Sequence, residues 1–188
     1  MRRLNLIFAT ALVAVALGAQ PAVAQIAKTN GVVTMKDALK EMLQNHGAAT
    51  LKKVSVTVDA DKSKALAQTY GVETAGTYTV YQGIGADKST VTGTVVIVNE
   101  QGKEGPLQLL VALNPEGKIY DLGFTVFGED KGKSASTWGF LKQFVEKKAG
   151  DPFVVGNDID GVSGATWSSN SVTSAAERGV VVFAEFLK

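Results

Sequence analysis

The chain is predicted to fold as α+β, an antiparallel sheet meander flanked by helices. Apolar residues recur at helical spacing near the start and at the end, and runs rich in β-branched, aromatic and aliphatic residues fill the middle. Two of the connections between those runs begin with Asn and end with Gly, which makes consecutive strands antiparallel neighbours. In order, Thr34 with Asp37 forms an N-terminal cap pattern, and Met35, Ala38, Leu39, Met42 and Leu43 predict a short amphipathic helix that Asn45-His46-Gly47 stops. Val54, Val56 and Val58 alternate with Ser55 and Thr57 and predict a strand; 62–70 is rich in helix formers and ends before Gly71. Strands follow at 77–82, 91–99, 106–114 and 118–127, with turns expected at Asn99-Glu100-Gln101-Gly102 and Asn114-Pro115-Glu116-Gly117. Residues 136–148 predict an amphipathic helix carrying Phe140, Leu141, Phe144 and Val145 on one face. Residues 169–188 predict a closing helix with Val172, Ala175, Ala176, Gly179, Phe183 and Phe186 on one stripe.

A chain of 188 residues with 19 basic and 18 acidic side chains buries an ordinary core without disulfide or metal support. Near-neutral charge without a basic block argues against nucleic acid as a partner. The absence of cysteine excludes c-type haem attachment, cysteine-ligated iron–sulfur clusters, thiol nucleophiles and lipid anchoring through an N-terminal cysteine. His46 is the single histidine and sits at a helix end, where interaction with the helix dipole is its ordinary role. It supports neither a zinc cluster nor a catalytic triad, so no metal site is expected.

The first residues read as an address. Met1-Arg2-Arg3 is positive, 4–18 is mostly apolar and uncharged, and Ala22-Val23-Ala24 is the small-x-small pattern a signal peptidase recognises. Cleavage is expected after Ala24, giving a signal peptide at 1–24 and one domain at 25–188. Its loss removes two arginines and no acids, leaving 17 basic and 18 acidic groups. No second apolar stretch is long enough to span a bilayer, so the processed protein is expected in the periplasm or outside the cell with no integral membrane segment.

The sharpest local signal is Asp160-Gly161-Val162-Ser163-Gly164-Ala165-Thr166-Trp167-Ser168-Ser169, a loop rich in glycine and hydroxyls that leads into a helix. Unpaired N–H groups and the positive helix end favour a phosphate there, glycines allow close approach, and Ser163, Ser168 and Ser169 offer further donors. The plainer reading of the same residues is a turn with a capping residue.

Residues 160–166 resemble the Asp-x-x-Ser/Thr-Gly-Ala-Thr motif of the FMN-binding domain family, which includes the C subunit of the sodium-translocating NADH:quinone oxidoreductase and the G subunit of Rnf complexes. Every fixed position matches, and the order of helix, strand meander, Phe-Leu-Lys-Gln-Phe at 140–144, motif and closing helix extends the resemblance over most of the chain. The resemblance implies an FMN-binding-domain-like fold and FMN joined covalently to Thr166 by a flavin transferase, through a phosphoester. It further implies an exported electron-transfer flavoprotein that works with membrane or soluble redox partner proteins. Gly164 and Ala165 are small enough to leave the hydroxyl reachable. Asp160 is expected either to be recognised by the transferase or to stabilise the turn. Trp167 either packs on the flavin ring or is a core or rim tryptophan.

One segment departs from the family. Relatives often show Glu-Thr-Pro-Gly-Leu-Gly where this chain has Glu129-Asp130-Lys131-Gly132-Lys133-Ser134-Ala135-Ser136. Glu129 is therefore either a flavin contact or a solvated acid in a charged turn, and Trp138 either stacks on the flavin or anchors its helix to the core. Two other functions compete with electron transfer: the flavin subunit of a separate small-acceptor reductase, and a flavin-free exported binding module whose Ser-Gly-Ala-Thr loop only caps a helix.

Overall fold

The computed structural model describes residues 31–188; the predicted signal peptide lies outside them. Helix α1 (Met35–Met42) starts where the Thr34 side chain accepts a hydrogen bond from the Asp37 N–H, and a 3-10 turn at Gln44–His46 ends it on Gly47, whose φ of 93° is left-handed. Strand β1 (Thr50–Val58) leads to α2 (Ala60–Tyr70), which Asp59 caps at Lys62 N–H and Gly71 terminates with a φ of 83°. Four strands follow: β2 (Gly76–Ile84), β3 (Val91–Gln101), β4 (Pro106–Leu113) and β5 (Ile119–Phe127). They form a five-stranded sheet in the order β1-β2-β3-β4-β5, each strand antiparallel to the next, as expected.

The central strands are buried on both faces, and their two-residue period divides the core. Val95, Ile97, Leu110 and Ala112 pack against Ala38, Leu39, Met42 and Leu43 of α1. Val96, Val98, Leu109 and Val111 belong to the larger core on the opposite face, with Val172, Ala176, Val180 and Phe183 of the closing helix α4 (Thr166–Phe186). That helix lies so close to the sheet that a Cβ on Gly179 would meet Val111 Cγ2 at 2.8 Å. One sheet edge, β1, carries the exposed charges Lys52 and Lys53, which discourage pairing with another chain. The other, β5, is covered: Val33 N–H donates to Phe124 O at 2.9 Å, and Glu146 N–H to Ile119 O at 2.8 Å.

Four expectations need correction. β3 continues through Asn99 and Glu100 to Gln101, so the turn falls later, closed by the Gly102 N–H bond to Gly105 O. The expected helix at 136–148 is broken into a 3-10 turn at Lys133–Ser136, one helical turn, α3, at Trp138–Leu141, and a 3-10 turn at Lys142–Phe144. Its continuation is diverted because 146–147 bonds to Ile119 at the edge of β5 and Glu146 takes a left-handed φ of 71°. Phe140, Leu141 and Phe144 are still buried, which is what their spacing recorded. The closing helix begins three residues early, at Thr166, and Phe186 at its end is 37% exposed, with Lys62 Nζ 5.8 Å above its ring, so it leaves the apolar stripe.

Candidate functional site: the start of α4

Thr166 is the first residue of α4, and Ala165 before it has no side chain able to cap the first-turn amides, unlike Thr34 and Asp59 at α1 and α2. The approach to it is held from within. Ala165 N–H donates to Val162 O, Val162 N–H donates to Ser169 Oγ, and Ser169 Oγ–H donates to Ala165 O, each at 3.0 Å. Gly164 takes a φ of 75°, where any side chain would be strained. Upstream, Gln143 grips the backbone of Asp160 twice: Oε1 accepts from Asp160 N–H at 2.7 Å and Nε2 donates to Asp160 O at 3.2 Å. The Asp160 carboxylate is exposed and accepts no hydrogen bond among the described residues, so it does not stabilise the turn through its side chain.

Glu129 is 3% exposed, which corrects the solvated-acid reading. Its Oε2 accepts from Ser168 Oγ at 2.6 Å, and its Oε1 accepts from the N–H of Glu104 at 2.7 Å and of Gly105 at 3.4 Å. Glu104 returns the arrangement: its Oε2 accepts from Asp130 N–H at 2.6 Å and Lys131 N–H at 3.1 Å. Two loops, 102–105 and 128–132, are thus latched by reciprocal carboxylates, and the Ser168 bond ties both to α4. Burial pushes the Glu129 carboxyl up, but the bonds from Ser168 and from the backbone amides outweigh it and hold the group below its ordinary value. The contact is tight enough to require glycine: a Cβ on Gly132 would lie 2.0 Å from Ser168 Oγ, and one on Gly102 would lie 2.3 Å from Glu129 Oε1.

Between the latch and the helix start lies a cavity of about 230 Å³ lined by Lys103, Glu104, Glu129, Lys131, Gly132, Gly164, Ala165, Thr166, Trp167 and Ser168. Six of the ten residues singled out from sequence therefore meet at one place: Glu129, Gly164, Ala165, Thr166, Trp167 and Ser168. Thr166 is exposed there, and Trp167 is 60% exposed, so it is no core residue. Ser168 and Ser169 are buried with their hydroxyls donated to Glu129 and Ala165, which removes them as free phosphate donors. Ser163 is exposed beside the cavity but does not line it; Asp160 lies farther back in the loop. Trp138 packs against the larger core and is not brought to the cavity. Sequence reasoning missed Lys103, Glu104 and the role of Gly132. Placing the turn at 99–102 hid the first two, and the stacking of loops distant in sequence left no local pattern to read.

The site suits a phosphate on Thr166: an exposed hydroxyl, an uncapped helix start with its positive dipole end, a left-handed glycine that bares the backbone, and two lysines on the wall. Comparison with known proteins bears on the family and not on the attachment residue. Residues 102–181 match the FMN-binding domain family, a span that begins at the first latch loop and includes the motif. The chain is 30% identical over 181 residues to the G subunit of the ion-translocating oxidoreductase complex of Methanosarcina acetivorans, covering 93% of this chain and 87% of that protein. It is 35% identical over 94 residues to the G subunit of the proton-translocating ferredoxin:NAD(+) oxidoreductase complex of Clostridium ljungdahlii, covering 46% of this chain and 50% of that protein; the match thus spans about half the length of that relative. The crystal structure of the C subunit of the Na(+)-translocating NADH-quinone reductase of Parabacteroides distasonis has the same fold, with a TM-score of 0.52 at 22% identity, covering 88% of this chain and 90% of that one. The chain belongs to the FMN-binding domain family.

Proposed function

We propose that this protein is an exported electron-transfer subunit that carries FMN through a phosphoester on Thr166 Oγ and passes electrons between redox partners of a membrane complex. The observation that carries the reading is the exposed Thr166 hydroxyl at the uncapped start of α4, on a cavity wall formed by residues of the family motif. In attachment, the Thr166 hydroxyl gives up its proton and Oγ takes the place of the leaving group of an activated flavin phosphate supplied by a flavin transferase. Gly164 and Ala165 keep that oxygen approachable. Asp160, its backbone held by Gln143 and its carboxylate free, serves as a recognition point for the transferase. Glu129 positions the site by fixing Ser168 and the loop 102–105. Trp167 offers an exposed aromatic face beside the linkage. Bound FMN supplies electron transfer, which the protein's own side chains cannot perform.

Two relatives are named as G subunits of ion- or proton-translocating oxidoreductase complexes, which supports membrane redox partners here. The N-terminal sequence supports export to the periplasm, with cleavage after Ala24. Among the described residues no helix is long and apolar enough to cross a membrane, and no group of histidine, cysteine or acidic residues could hold a metal ion. The test is expression with a flavin transferase followed by denaturing electrophoresis read by flavin fluorescence. Wild-type protein is expected to keep its fluorescence and Thr166→Ala to lose all of it; fluorescent Thr166→Ala protein would refute the linkage.

A further inference from the structure

We propose that Lys103 and Lys131 form a two-sided cationic clamp for the phosphodiester on Thr166, and that the Glu104–Glu129 latch exists to hold them there. The inference rests on the covalent reading above and assigns residues that neither the motif nor its helix includes. Both lysines line the cavity that Thr166 lines, one from each latched loop. Neither makes an ion pair among the described residues, whereas the neighbouring Lys133 is paired with Asp130 at 3.2 Å.

The latch fixes the backbone at both lysines. Lys131 donates its N–H to Glu104 Oε2 at 3.1 Å, and the residue following Lys103 donates its N–H to Glu129 Oε1 at 2.7 Å. The carboxylates are occupied in the same act. Glu129 commits both oxygens to Ser168 and backbone amides, and Glu104 Oε2 takes two amides of the opposite loop. The lysines are the cationic side chains on the cavity wall, with Glu129 turned to Ser168 and the backbone amides, and a phosphodiester carries one negative charge. Both side chains are exposed, so they can swing onto a phosphate after attachment without rebuilding the fold.

The experiment compares wild type, Lys103→Gln/Lys131→Gln and Lys103→Arg/Lys131→Arg, each as the full exported chain. It uses a purified flavin transferase with its flavin donor, and intact mass to follow attachment. Wild type is expected to label, the Gln pair to label roughly three- to tenfold more slowly at low salt, and the Arg pair to label near the wild-type rate. The wild-type advantage should shrink as ionic strength rises past the point where exposed charges are screened. Attachment should also raise the thermal midpoint of wild type and the Arg pair more than that of the Gln pair, which a merely structural role for the lysines would not produce. If wild type labels and the Gln pair matches it in rate, salt response and midpoint rise, the clamp is wrong while attachment to Thr166 stands. If wild type takes no flavin at all, both fall.

Discussion

At the scale of single residues, the site depends on which hydroxyls are free. Thr166 keeps its oxygen in the open, whereas Ser168 and Ser169, two and three residues on, turn theirs inward to Glu129 and Ala165. What separates them is bonding: the Ser168 hydroxyl is donated across to Glu129 and the Ser169 hydroxyl back to the Ala165 carbonyl of its own turn. Sequence alone placed all three at the site, because composition does not tell which face of the first turn is buried. Glu129 gives the firmest residue-scale expectation. Replacing it with Ala strands the buried Ser168 hydroxyl and frees the half-buried Glu104 amide, and should destabilise the protein by about 1–3 kcal/mol in chemical denaturation. Its folded pKa lies below its unfolded value, so its contribution is complete above the ordinary carboxyl value of 4.5 and is lost as pH falls through the lower folded value. Thermal midpoints measured from pH 7 down to pH 3 should therefore fall more steeply for wild type than for Glu129→Gln.

At the scale of elements, α4 does two jobs along one helix: its N-terminus forms the site and its middle is pressed against β3 and β4. Gly179 permits that contact, so Gly179→Val should push α4 off Val111 and destabilise by about 1–3 kcal/mol. If attachment needs the helix start held in place, the labelling rate should fall with it. The same helix holds Glu177, whose carboxyl is pushed up to about 7, chiefly by burial and then by the charge of Asp158. Asp158 itself is paired with Lys147 at 2.5 Å. An acid whose folded pKa is raised weakens the fold once it must ionise, so Glu177→Gln should raise the thermal midpoint by about 3 °C at pH 8 and little at pH 5. The strands were legible because β-branched and aliphatic runs bury both faces of β3 and β4. Thr34, Gly47 and Gly71 marked helix ends that the chain uses, whereas the Asp59 cap of α2 was not read from the sequence. The stretch 136–148 was not legible, because its apolar spacing fits one helical turn flanked by 3-10 turns as well as it fits a regular helix. What ends it is a pairing with β5, which no local pattern records.

At the scale of the whole molecule, an antiparallel sheet with α1 on one face and α4 on the other brings the loops after β3 and β5 beside the start of the closing helix. The cavity exists because residues 103, 131 and 166, far apart in sequence, arrive at one corner. The motif was legible as a contiguous string of residues, but the lysines and the latch were not, since they are joined only by topology. An exposed hydroxyl, a helix dipole and a lysine-lined wall meet at that corner, the arrangement on which the proposed phosphoester rests. The most direct test is intact-mass spectrometry, with tandem mapping of the peptide containing Thr166, on protein exported from cells that also express a flavin transferase. The expected result is a chain beginning at Gln25 and heavier by one FMN less one water, with the added mass on Thr166. Unmodified protein, or flavin mapped to any other residue, would contradict it.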